Sequence, residues 1–132
     1  RELVMVMNGF DVNFDGENEI YAVNSRAFAY AYDPIPLRVG ERVRIHLSNM
    51  LEFDLVNSFH VHATFFDHYD TGTRLTPDLF TDTVVMGQGE RAILDLVFTE
   101  PGMYMFHAHV TEFAELGWMG MFHVIDDRSH HG

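Results

Sequence analysis

The residues best suited to chemistry are four histidines in two His-x-His pairs. One pair lies in Ser58-Phe59-His60-Val61-His62, the other in Gly102-Met103-Tyr104-Met105-Phe106-His107-Ala108-His109. Both runs are apolar and aromatic, with strand character. Side chains alternate across a strand, so residues i and i+2 share a face. His60 and His62 therefore point one way, and Phe59, Val61 and Ala63 the other. His107 and His109 share a face opposite Tyr104, Phe106 and Ala108. If the two strands are neighbours, the four imidazoles converge on a patch roughly 5–10 Å across. Imidazole suits copper, zinc, iron or nickel. Two such pairs, each backed by an apolar face, predict a metal-binding surface.

The elements that must hold this surface read as strands. Leu3–Met7 is a short apolar strand, and Asn8–Asn18 a polar loop. Within that loop Asp11, Asn13, Asp15 and Glu17 resemble a calcium loop, but Ala22 stands at position twelve where such a loop has its bidentate glutamate. Glu19–Asn24 and Ala27–Tyr30 read as strands around a turn at Ser25-Arg26, and Pro34 and Pro36 break the next segment. In Arg42–Leu47, Val43, Ile45 and Leu47 alternate with Arg44 and His46, so His46 is expected at the surface. Thr81–Met86 and Arg91–Phe98 are further strands, the latter burying Ala92, Leu94, Leu96 and Phe98. Thr111–Leu116 reads as a helical turn and Trp118–Ile125 as a last strand; residues 126–132 form a polar tail expected to fray. Strands recur about every ten residues with turns between them. The expectation is one all-β domain over residues 1–132, a Greek-key sandwich or barrel.

Composition narrows the function. At 132 residues and 47% hydrophobic, with twelve Phe and eight Met, the chain can pack a single core. It has no cysteine, which excludes disulfides, thiolate metal sites and cysteine nucleophiles. A net charge of −12 argues against nucleic acid or an anionic membrane as partner. No apolar run approaches the ~20 residues needed to span a bilayer. The chain begins at Arg1 with no signal peptide, which suggests a processed product or a piece of something longer.

The ordered motifs resemble the multicopper oxidase family, in its cupredoxin domain. Ile35-Pro36-Leu37-Arg38-Val39-Gly40-Glu41-Arg42-Val43 resembles a lead-in segment of that domain. Asn57-Ser58-Phe59-His60-Val61-His62 resembles the family's third copper motif. Thr81-Asp82-Thr83-Val84, Glu100–His109 and Gly117-Trp118-Met119-Gly120 resemble the fourth motif and its surroundings. The resemblance implies the cupredoxin-type sandwich. It also implies that His60 binds a type 2 copper, and His62, His107 and His109 a type 3 pair. The family's cluster takes eight histidines, four from each of two cupredoxin domains. With Phe106 and Ala108 turned to the core, His107 and His109 face out, as half a site awaiting a partner surface.

Three departures matter. Where the family's blue-copper domains have a cysteine between the last two histidines, this chain has Ala108. Asn57 and Phe113 stand where two further histidine ligands would be. A blue-copper site needs its thiolate, so no type 1 copper is expected here, and electrons must arrive from another domain. Met119 is expected in the core.

The partner implied is another cupredoxin domain or subunit, in a homotrimer or a multidomain parent. The resemblance also implies dioxygen as the oxidant and a periplasmic or extracellular location. The isolated chain need not be active. Asp82, Glu112 and Glu115 are candidates to hold the far ring nitrogens or deliver protons. His68 reads as a turn residue near the mouth of the site, His123 as structural, and His130 and His131 as tail residues. The alternatives are a non-catalytic module binding copper or zinc, a domain related to copper nitrite reductase, and a cupin. A cupin wants a glutamate soon after its first pair and a single later histidine; here Ala63-Thr64-Phe65-Phe66-Asp67 follows, and then a second pair.

Overall fold

The computed structural model describes residues 1–51, 53–54, 56–109 and 111–126, and of residues 111 and 112 the backbone alone. Residues 127–132 of the expected tail, with His130 and His131, and the side chain of Glu112 lie outside the described residues.

The strands are β1 (Glu2–Phe10), β2 (Ile20–Val23), β3 (Ile35–Arg38), β4 (Arg42–Asn49), β5 (Val56–Val61) and β6 (Phe66–Asp70), then β7 (Leu79–Thr81), β8 (Thr83–Gly87), β9 (Arg91–Val97), β10 (Gly102–His107) and β11 (Met119–Ile125). Two short helices join them, α1 (Ala29–Tyr32) and α2 (Thr111–Glu115). Neither is long or apolar enough to cross a membrane. One sheet has the order β2-β1-β4-β9-β6-β7 and the other β3-β11-β10-β5-β8. The pairs β1/β4 and β3/β11 are parallel and the other ladders antiparallel. This is an all-β sandwich, as the alternation of residues predicts, and it is of the cupredoxin type that the resemblance implies.

The core lies between the sheets. Val43, Ile45 and Leu47 of β4 and Ala92, Leu94 and Leu96 of β9 are buried, as their period demands. From the other sheet come Phe59 and Val61, Phe106, and Phe122 and Val124. Phe106 stacks on Phe59 at 5.9 Å and packs on Phe122 at 4.5 Å and Trp118 at 6.0 Å between ring centroids. Such ring pairs add about 0.5–1.5 kcal/mol each beyond the area they bury. They form the rigid backing of both histidine strands.

Four expectations change. Asn8–Phe10 is strand rather than loop, because β2 folds back on it (Asn8 opposite Ala22, Phe10 opposite Ile20). Ala27–Tyr30 is not a strand. Asn24, Ser25 and Phe28 have φ of 53°, 66° and 58°, which no extended chain can hold, and a single helical turn follows. The Asn24 side chain fixes this break, accepting from the Val6 N–H and donating to the Val4 carbonyl. Pro36 does not end a strand but lies within β3, an edge strand, where a missing N–H is tolerated. His68 is not a turn residue; it lies in β6 and is buried.

On the outer face of the β4/β9 sheet, Asp95 is buried between two arginines. Arg44 donates to it through Nε and Nη2, both at 2.8 Å, and Arg42 through Nη2 at 2.7 Å. The Arg44 hydrogen bonds outweigh burial and, with Arg42, hold the Asp95 carboxyl at about 2, below the usual 3.8. A depressed carboxylate contributes stability above its unfolded value and loses it as the pH falls through its folded value. The difference is on the order of 2 kcal/mol. Asp95→Asn is therefore expected to lower stability near neutral pH by about that much. Urea unfolding should also show a flatter fall in stability between pH 4 and pH 2 than in the parent chain.

Candidate metal centre

The two histidine strands are hydrogen-bonded neighbours, with His107 directly opposite His60 and Phe106 opposite Val61. Phe59, Val61, Phe106 and Ala108 are fully buried, so the pleat turns the histidines out of the sandwich. His62 follows the last residue of β5. Its N–H still reaches the Met105 carbonyl at 3.0 Å, and Ala63 then turns the chain away with φ of 63°. His109 lies just past β10, its N–H held by Ser58 Oγ at 2.8 Å.

His60, His62 and His107 bring one ring nitrogen each within 4.8 Å of one another, a spacing at which one ion could be shared. Their ring centroids are 5.0–5.3 Å apart. His109 is outside that group of three, with its ring 5.5 Å from that of His60.

The hydrogen bonds fix which nitrogens are free. His60 Nδ1 contacts the Asp82 carbonyl at 2.9 Å and Thr83 Oγ1 at 2.8 Å. A carbonyl can only accept, so Nδ1 carries the proton and Nε2 offers its lone pair. Thr83 Oγ1 in turn donates to Asp82 Oδ1 at 3.0 Å. His107 Nδ1 donates to the Ala108 carbonyl at 2.6 Å, which leaves its Nε2 as an acceptor. That Nε2 lies 2.9 Å from His62 Nε2, so the shared proton belongs to His62. Burial, and then the neighbouring His107 and His60, push the His62 ring below its ordinary value of 6.5. The ring is neutral at neutral pH, as a metal ligand must be.

The other expected residues stand as follows. Asp82 reaches His60 through its carbonyl, and its half-exposed carboxylate lies 3.9 Å from His60 Nδ1. Glu115 is exposed on α2, with no hydrogen bond to the four imidazoles among the described residues. His46 is half-exposed at the surface, as expected, and contacts Glu2 Oε1 at 3.0 Å. His123 is exposed on the outer face of β11 rather than packed as a structural residue. Met119 is not in the core: it faces out, half-buried, opposite His107 in the β10/β11 ladder.

Two residues escaped the sequence reading. Thr83 is opposite His60 in the β5/β8 register, and only that register brings its hydroxyl to the ring. Trp118, fully buried, touches all three positions where the resemblance places missing ligands. Its indole N–H is shared between Asn57 Oδ1 and the Ser58 carbonyl, both at 3.1 Å. Its backbone N–H donates to the Phe113 carbonyl at 2.9 Å, and its carbonyl accepts from the Ala108 N–H at 3.2 Å. Phe113 itself is stacked on Tyr21 at 4.2 Å. Asn57, Ala108 and Phe113 are thus all tied to Trp118, the first through its indole and the other two through its backbone, and none of the three carries sulfur.

A family model described as multicopper oxidase matches residues 3–128. Among curated proteins, hephaestin of Mus musculus is 26% identical over 120 residues, which are 91% of this chain and 10% of its own length. The multicopper oxidase mco of Staphylococcus epidermidis is 25% identical over 124 residues, 86% of this chain and 26% of its own. A crystal structure of a multicopper oxidase superposes with a TM-score of 0.93 at 54% identity, covering 94% of this chain and 44% of that one. A copper nitrite reductase from Nitrosomonas europaea shares the fold, with a TM-score of 0.86 at 24% identity over 96% of this chain and 50% of its own. The chain therefore spans a tenth to a quarter of these curated relatives, and less than half of the multicopper oxidase structure.

Proposed function

The chain belongs to the multicopper oxidase family, and on that footing we propose that it supplies four histidines to a trinuclear copper cluster shared with another cupredoxin domain. One observation carries this reading: the imidazoles of His60, His62 and His107 meet on the outside of the sandwich, turned away from the buried Phe59, Val61, Phe106 and Ala108.

The donor set fits copper, since nitrogen ligands with no thiolate suit the type 2 and type 3 sites of the family and exclude a type 1 site. His60 would hold the type 2 copper through Nε2; His62, His107 and His109 would hold the type 3 pair. Copper held by these residues would supply the site at which dioxygen is reduced to two waters, a step that takes four electrons from the reducing substrate by way of the type 1 copper and four protons. The chain's own residues position that chemistry. Thr83 and the Asp82 carbonyl keep the His60 proton on Nδ1, so that Nε2 stays bare and aimed. The Ala108 carbonyl does the same for His107. The Asp82 carboxylate, one hydroxyl away from His60, can take up or release a proton near the site; Glu112 and Glu115, in α2 after the second pair, are the further candidates.

Asn57, Ala108, Phe113 and Trp118 leave no blue copper in this domain. Electrons then come from a type 1 copper on the partner, in a homotrimer or a longer multidomain chain outside the cytoplasm. The isolated domain would lack activity.

Copper counting on the full-length protein tests this. The expected result is about three coppers in each cleft between this domain and its partner, with oxygen uptake. One metal per chain and no oxygen uptake would reduce the domain to a copper- or zinc-binding module. The Thr83 contact gives a finer test. Thr83→Val should weaken copper retention about 10- to 100-fold, the usual effect of removing a partner of a ligating histidine, while Thr83→Ser should retain most of it. Competition with a copper chelator reads both.

A further inference from the structure

We propose that Met103, Met105, Met121 and His123 form a separate binding site for a cuprous ion on the outer face of the β10/β11 ladder. The sequence repeats one pattern on two strands: Met103-x-Met105-x-His107 on β10 and Met119-x-Met121-x-His123 on β11. The antiparallel register sets these residues side by side, with Met103 opposite His123, Met105 opposite Met121 and His107 opposite Met119. Between them lie Phe106, opposite Gly120, and Tyr104, opposite Phe122; Phe106 and Phe122 are fully buried. All six methionines and histidines therefore face away from the core.

Directly opposed side chains in such a ladder are about 5 Å apart at Cβ, and the next pair on the same face is about 7 Å along. Met103, His123, Met105 and Met121 are thus the corners of a rectangle that long, flexible thioethers can close on one ion. Three neutral sulfurs and one imidazole are soft donors, which favour Cu(I) over Zn(II) or Cu(II). Met103 is 49% exposed and His123 is exposed, while Met105 and Met121 are half-buried, so the site is open at one end.

Position gives the site a purpose. Met105 adjoins His62, whose N–H it accepts, and the next pair along the ladder is His107 with Met119. A cuprous ion held here stands one step from the histidine cluster and can be passed to it by ligand exchange. No proposed ligand is among the four cluster histidines, so the site itself stands apart from the trinuclear reading; only its role as a donor to the cluster rests on it.

The test uses the full-length, copper-loaded protein, fully reduced and kept anaerobic, titrated with Cu(I) buffered by bicinchoninate. The expected result is one further cuprous ion per chain, with sulfur neighbours in its X-ray absorption spectrum. A variant with Met103→Leu, Met105→Leu and Met121→Leu should bind that ion at least tenfold more weakly, with unchanged circular dichroism. Should the triple variant fail to fold, His123→Gln serves the same comparison. Equal Cu(I) uptake by parent and variant, or an added ion with only nitrogen and oxygen neighbours, would overturn the proposal.

Discussion

His107→Ala is expected to abolish oxygen reduction by the full-length protein while leaving the fold intact. His107 stands opposite His60 in the ladder and shares a proton with His62, so it touches two of the other three imidazoles. In the proposed cluster its loss removes a ligand outright. Removing a partner one step further from a metal already costs about 10- to 100-fold in affinity or activity, so the ligand itself should cost more than about 100-fold. The fold should survive because the ring points out of the sandwich, and the buried neighbours Phe106 and Ala108 are untouched. The measurement is oxygen uptake alongside copper content and thermal unfolding. Retained oxygen uptake would remove His107 from the cluster.

Trp118→Ala is expected to have the largest effect on stability, about 3–5 kcal/mol. The indole is fully buried against Phe59 and Phe106, with ring centroids 6.1 and 6.0 Å away. Its removal leaves a cavity and also withdraws the N–H shared by Asn57 and Ser58. Ser58 in turn holds the His109 backbone, so copper retention should fall along with stability. Trp118→Phe should recover much of the packing but not the hydrogen bond. Urea unfolding measures the difference. An exposed ring such as Phe80, 70% exposed, should by contrast cost within about 0.5 kcal/mol when truncated. A cost that small at Trp118 would mean that the indole does not fill the space as described.

The fold was legible because its strands obey a period of two. Val43, Ile45 and Leu47 announce their burial, and so do Ala92, Leu94 and Leu96. The outward direction of the histidines followed from the same alternation. What the sequence hid depends on pairing between distant strands. Thr83 matters because it lies opposite His60, and no local pattern states that register. Met119 looked like a core residue because methionine usually is one, but its neighbour Trp118 takes the inward position and leaves it outside. The helix after Ser25 was hidden by β-branched and aromatic neighbours of strand character, whereas left-handed residues at Asn24, Ser25 and Phe28 decide the local path. His109 shows the limit of alternation itself: it shares a strand face with His107 by count, yet it lies past the end of β10 and outside the group of three.

Anomalous diffraction at the copper edge, from crystals of the copper-loaded full-length protein, would test the central claim most directly. The account predicts three copper peaks in a cleft between two domains, bound on one side by His60, His62, His107 and His109 and on the other by imidazoles of the partner. A lone peak on His60, His62 and His107 with solvent opposite, or no copper at these rings, would contradict it.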